Sequence, residues 1–174
     1  VCNALCDKLI FRHPHVFGNV SAETASQVEQ NWEQIKLKEK NGNKTVLAGV
    51  PGGLPALVKA FRIQEKACNV GFDWEQREQV WDKVKEELSE LMEAIGRNDG
   101  NNMESELGDF IFSIVNAARL YKINPENALE RTNQKFIRRF NYIEQQAHNK
   151  EKKLTDMSLS EMDALWNEAK SLGL

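Results

Sequence analysis

Two acidic clusters have the spacing to work as one site. The first reads Glu86-Glu87-Leu88-Ser89-Glu90, with Glu93 beyond, and the second reads Glu104-Ser105-Glu106-Leu107-Gly108-Asp109. Glu87 and Glu90 stand three apart, on one side of a helix, and Glu106 and Asp109 repeat that step. If the two stretches are antiparallel neighbours, these carboxylates meet at the edge of an apolar seam. Carboxylates gathered beside a core repel one another unless a cation neutralises them. All-oxygen ligation suits magnesium or manganese, which keep several waters and share their remaining positions with phosphate oxygens. A di-iron bundle would want Glu-x-x-His on its helices, and the three histidines, His13, His15 and His148, provide none. Spacing alone leaves a second reading open, a solvated acidic face on each helix.

Lys135 and Arg139 are one helical turn apart and can reach one phosphate chain together, or else form a solvated basic stripe with Arg131 and Arg138. Cys2, Cys6 and Cys68 lack the spacing of a zinc site or a disulfide framework, which predicts free thiols in a reducing cytoplasm. His13-Pro14-His15 reads as a helix-ending turn rather than a metal site.

The elements that must carry these groups are all helical. Apolar residues recur at three and four, and period-two β-branched runs are missing. A short segment over Val1–Arg12 ends at His13-Pro14-His15, and a helix follows from about Ala22 to Lys40 with Ser21 as N-cap. The glycines and prolines between Asn41 and Pro55 mark a linker. Five helical segments are then predicted, beginning with Leu54–Val70 and ending at Gly71. The next is capped by Asp73 with Gln76 and runs to about Ile95. After the turn Gly96–Gly100, a third runs from about Asn102 to Tyr121. Asn124 with Pro125 starts a fourth that reaches Asn149, and Ser158 with Glu161 caps a last one ending near Leu172. Val80 (or Trp81), Val84, Leu88, Leu91 and Ile95 make one seam; Leu107, Phe110, Ile111, Ile114, Val115 and Ala118 make another. A short loop between them implies an antiparallel pair in a helical bundle.

Composition sets the limits. The chain has 174 residues, 41% hydrophobic and 28% charged, with a formal charge of -3. That balance suits a globular domain and offers no basic surplus for stable nucleic-acid binding. No apolar run approaches a membrane span.

At this point the order of motifs resembles a known family. Glu86, Glu87 and Glu90, followed by Glu106 and Asp109, are similar to the acidic motif of the MazG family of all-α nucleoside triphosphate pyrophosphohydrolases. The similarity continues upstream through Gly52-Gly53-Leu54-Pro55-Ala56-Leu57, Gln64-Glu65-Lys66 and Val70-Gly71-Phe72-Asp73-Trp74. Downstream it takes in Asn133, Lys135, Phe136, Arg139, Phe140, Trp166 and Lys170. The resemblance implies that Glu87, Glu90, Glu106 and Asp109 hold Mg2+ (or Mn2+) against a triphosphate. A metal-polarised water then attacks the α-phosphate and pyrophosphate leaves. Glu86 is implied as a further ligand or the base. Lys135, Arg139, Trp166 and Lys170 are implied on the substrate, with Trp166 against the base and Lys170 on phosphate. Arg62, Gln64 and Lys66 are placed along the nucleotide pocket.

The first forty residues echo the end of the chain. Lys8-Leu9-Ile10-Phe11-Arg12 parallels Lys135-Phe136-Ile137-Arg138-Arg139, and Asn31-Trp32-Glu33-Gln34-Ile35-Lys36 parallels Leu165-Trp166-Asn167-Glu168-Ala169-Lys170. Residues 1–40 therefore read as the tail of a preceding repeat, idle in catalysis by itself, residues 41–55 as a linker, and residues 56–174 as the catalytic domain. Starting at Val1 fits a fragment. Trp74, Trp81, Phe110, Phe112 and Phe136 exceed what one small bundle can bury, which with the family resemblance predicts a cytoplasmic homodimer. The competing functions are a narrow dCTPase, dUTPase or phosphoribosyl-ATP pyrophosphohydrolase, a non-catalytic nucleotide or metal sensor, and a dimerisation module.

Overall fold

The computed structural model describes residues 2–21, 24, 27, 28, 31, 35 and 45–174. Among these residues every regular element is helical and none is a strand. The chain forms two compact units, one ending at Pro125 and the other spanning Glu126–Leu174. The expected helix from Ala22 to Lys40, with Trp32 and Lys36, lies largely outside the described residues.

In the first unit, α1 (Cys2–Arg12) ends where predicted, and Pro14 opens the single turn α2 (Pro14–Phe17). His13 Nδ1 donates to the Leu9 carbonyl at 2.8 Å, which occupies the histidine in closing the helix. Helix α3 (Ala56–Cys68) follows a 3-10 turn at Val46–Gly49. Gly71, at φ 89°, then takes a left-handed conformation that a side chain resists.

Helix α4 (Val80–Arg97) is built from good helix formers, with Lys, Glu, Leu, Met and Ala through most of its length. Its entry differs from the sequence expectation. Gln76 and Gln79 form the capping box across a 3-10 turn at Arg77–Gln79, because Asp73 is drawn instead to Arg119 on the next helix. Asn98, left-handed at φ 55°, ends α4. Asp99 then caps α5 (Gly100–Leu120) by accepting from the Asn102 N–H, so the helix starts two residues before its predicted beginning.

Val80, Val84 and Ala117 form the core between α4 and α5, with Phe110, Leu120 and Tyr121 packed against it. Burying a side chain such as Val80 contributes about 1.5–3 kcal/mol relative to leaving it in water. Val80, Val84 and Leu91 of the expected α4 seam are buried, as is Val115 of the α5 seam, but Leu88 and Ile95 give their places to the adjacent Glu87 and Ala94. Val80, Val84, Glu87, Leu91 and Ala94 face inward along α4, while Leu88 and Ile95 are exposed. On α5, Ser113, Val115 and Ala117 are buried; Leu107, Ile111 and Ile114 stay open. Leucine and isoleucine at helical spacing therefore mark two faces here, one buried and one open.

The second unit is a helical hairpin of α6 (Pro125–Asn149) and α7 (Leu159–Ser171). Ile143, Ala147, Leu165 and Ala169 are its buried residues. Ser158 and Glu161 form the predicted capping box, and Lys152 adds a bond to Glu161 at 2.7 Å.

Candidate metal and nucleotide site

Glu87, Glu106 and Asp109 come together between α4 and α5, each presenting an oxygen within 4.8 Å of the others. Helices α4 and α5 do this because they run antiparallel across a short turn, so the middle of α4 lies beside the first half of α5. Glu87 is buried, Glu106 half-buried and Asp109 exposed, a gradient that opens the group to solvent on one side. An open cluster of hard oxygen donors matches a divalent cation that keeps part of its water shell.

Glu90 lies outside that close trio but shares its field. Burial raises its carboxyl above the ordinary range, and the charges of Glu87 and Glu106 raise it further. Glu86 is exposed and accepts from Lys83 at 2.8 Å. Lys83 Nζ also lies 2.8 Å from Glu87 Oε1. The two carboxylates hold the Lys83 ammonium well above its usual pKa, Glu86 first and Glu87 second. Sequence reading missed Lys83, although its place four residues before Glu87 is a recognised ion-pair spacing.

The basic candidates belong to the second unit. Lys135 on α6 and Lys170 on α7 are exposed. Arg139 is half-buried; its Nε donates to the Leu174 carbonyl at 2.7 Å, and its guanidinium lies 5.4 Å from the centre of the Trp166 ring. Trp166 also packs on Phe136, with ring centres 5.1 Å apart. Arg139 and Trp166 thus order one another within the hairpin. From the earlier segment, Lys8 is exposed and Arg12 half-buried on α1.

On α3, Gln64 and Lys66 are buried, and Arg62 pairs with Glu65 at 2.8 Å. Arg119 of α5 donates to Asp73 through both terminal nitrogens and also to Asn116. Burial pushes the Asp73 carboxyl up, but bonds from Arg119, Cys68 and the Trp74 N–H outweigh it and hold it below the usual range. Burial and Asp73 raise the Cys68 thiol, and Cys2, Cys6 and Cys68 are free cysteines.

Residues 75–143, which include both acidic clusters, match the MazG nucleotide pyrophosphohydrolase domain. A nucleoside triphosphate pyrophosphohydrolase of Escherichia coli strain K12 is 40% identical over 174 residues, covering 98% of this chain and 66% of the relative. The nucleoside triphosphate pyrophosphohydrolase/pyrophosphatase MazG of Thermotoga maritima is 42% identical over 171 residues, covering 98% of this chain and 64% of the relative. YabN of Bacillus subtilis is 48% identical over 172 residues, which span 98% of this chain and 35% of that protein. The chain thus spans about two thirds or less of the relatives it matches. No helix among the described residues is long and apolar enough to cross a membrane. With the acidic helix pair inside the matched region and identity extending over nearly its whole length, the chain belongs to the MazG family.

Proposed function

We propose that the protein hydrolyses nucleoside triphosphates to nucleoside monophosphate and pyrophosphate, with magnesium at the α4–α5 carboxylates. The convergence of Glu87, Glu106 and Asp109 within 4.8 Å carries this reading, because such a donor group suits a cation that also holds phosphate. Glu90, whose proton affinity is raised by the same neighbours, completes the set. Bound magnesium supplies a polarised water and offsets negative charge on the departing pyrophosphate.

The chain's own groups divide the remaining work. Glu87, Glu90, Glu106 and Asp109 hold the cation, and Lys83 restrains Glu86 and Glu87 so that their oxygens keep one orientation. Glu86, exposed at the edge of the cluster, is the candidate proton acceptor for the attacking water. Lys135, Arg139 and Lys170 contribute positive charge for the phosphate chain, and Trp166 keeps the Arg139 guanidinium in place.

We also read the exposed stripes Leu88, Met92 and Ile95 on α4 and Leu107, Ile111 and Ile114 on α5 as a homodimer interface. Each repeats at i, i+4, i+7, and both lie on the same antiparallel pair, which is the surface a four-helix junction buries. Residues 1–40 remain, in this reading, the tail of a preceding repeat without an acidic helix pair of its own, and the setting is cytoplasmic.

A pyrophosphate-release assay over the eight common ribo- and deoxyribonucleoside triphosphates tests the activity. With magnesium, pyrophosphate and monophosphate are expected as the only products, and Asp109→Ala should be inactive with its helical circular dichroism intact. Release of orthophosphate by the wild-type protein would overturn the proposal.

A further inference from the structure

Helix α7 closes in a left-handed turn. Gly173 sits at φ 80°, its N–H donates to the Lys170 carbonyl at 3.2 Å, and the Leu174 N–H reaches back to the Ala169 carbonyl at 3.1 Å. Those two bonds are the paired closure that glycine permits at a helix end. They also fix the direction of the chain after α7, and the Leu174 main-chain oxygen comes to lie 2.7 Å from Arg139 Nε on α6. A Cβ added to Gly173 would meet nothing within 4 Å, so what glycine supplies there is the positive φ rather than room.

An arginine carries five N–H donors, one on Nε and four on the two terminal nitrogens. Among the described residues, the Leu174 oxygen is the one acceptor bonded to Arg139, and the Trp166 ring lies against the guanidinium with its centre 5.4 Å away. One edge of the guanidinium is therefore tied and one face is covered, while the terminal fork keeps all four donors. Closing α7 uses only one donor of the five. A fork whose orientation is set in advance loses less freedom when it grips an anion.

We infer that the Gly173 turn is a positioning element for phosphate recognition and acts through Arg139. By engaging Nε, the Leu174 oxygen leaves the two terminal nitrogens aimed outward as a two-pronged grip for a phosphate group. The inference rests on the hydrolase reading above, in which Arg139 contributes charge for the phosphate chain, and adds what orients that charge. Gly173 and Leu174 are positioning residues, since their effect passes through the Arg139 side chain. The same turn starts from the Lys170 carbonyl, so it also fixes the main chain at a second basic candidate of the second unit.

Gly173→Val resists a positive φ, whereas Gly173→Asn tolerates it. Gly173→Val is expected to lower kcat/KM for nucleoside triphosphates about tenfold, the weight of one hydrogen bond to a charged group, and Gly173→Asn to stay within roughly twofold of the wild type. In an Arg139→Met background, Gly173→Val should have no further effect, because the residue it acts through is gone. An equal loss in both backgrounds would make the turn a helix closure alone and overturn the inference. Side-chain NMR of the wild-type protein with 15N-labelled arginine, titrated with inorganic tripolyphosphate without metal, requires neither turnover nor a variant. The terminal nitrogens of Arg139 are expected to shift while the Nε–H keeps its bond to Leu174. A shift confined to Nε, or none at all, would overturn the inference. Tripolyphosphate on the fork without triphosphate hydrolysis would keep the grip and remove the enzyme. Hydrolysis with an unresponsive fork would do the reverse.

Discussion

Lys83 Nζ sits 2.8 Å from Glu87 Oε1, one turn away on the same helix, and holds a carboxylate that is otherwise buried beside Glu106 and Asp109. Lys83→Met leaves Glu87 without that donor. In EDTA the variant is expected to lose about 1–3 kcal/mol, the cost of a buried polar group without its partner. Magnesium should then raise its melting temperature more than it raises that of the wild type, because the cation takes over the neutralisation. Thermal melts with and without magnesium check this. Equal responses in the two proteins would separate Lys83 from the metal site.

The Arg119–Asp73 pair links α5 to the segment following α3, with side-chain exposures of 10% and 23%. Asp73→Asn keeps the size and removes the charge facing the guanidinium. The expected loss is roughly 2–3 kcal/mol, below the cost of breaking a fully buried pair because both partners keep some access to water. Urea denaturation with an unchanged m-value is the appropriate measurement.

Acid should loosen the start of α7. Lys152 chiefly, with the Ser158 backbone and hydroxyl, lowers the Glu161 carboxyl to about 2 from an ordinary 4.5. A depressed folded pKa gives stabilisation that is complete above pH 4.5 and disappears as pH falls through about 2. Amide protection factors at Glu161 and Met162, taken relative to the intrinsic exchange rate at each pH, should therefore fall across that window. Glu161→Gln should flatten the response.

Ile111→Asp and Ile114→Asp place charge in the open stripe of α5, away from the buried Val115 and Ala117. Both variants are expected to elute as folded monomers in size-exclusion chromatography with light scattering, while the wild type elutes as a dimer. A monomeric wild type would leave these side chains without the interface assigned to them.

The sequence made the local features readable. Ser158 with Glu161, Pro125 at a helix start and the turn expected over Gly96–Gly100 all depend on near neighbours, and each appears in the structure, the turn narrowed to Asn98 and Asp99. Asp73 with Gln76 fits the same capping pattern yet does not form it, because Arg119 lies 46 residues along the chain and no local pattern reveals it. Hydrophobicity places Leu88 and Ile95 in the seam, while Glu87 and Ala94 occupy the buried positions. That difference depends on where α5 and its charges pack. The acidic spacing points to Glu87, Glu90, Glu106 and Asp109, of which the structure draws Glu87, Glu106 and Asp109 into one close group, while Lys83 emerges only with side chains in three dimensions.

Hydrolysis in H218O, followed by mass spectrometry of both products, tests the central claim most directly. Attack on the α-phosphate places the heavy oxygen in the nucleoside monophosphate and leaves pyrophosphate unlabelled, which is the predicted result. Label in pyrophosphate would mean attack at the β-phosphate, and label in orthophosphate attack at the γ-phosphate. Either result would contradict the role assigned to the α4–α5 carboxylates.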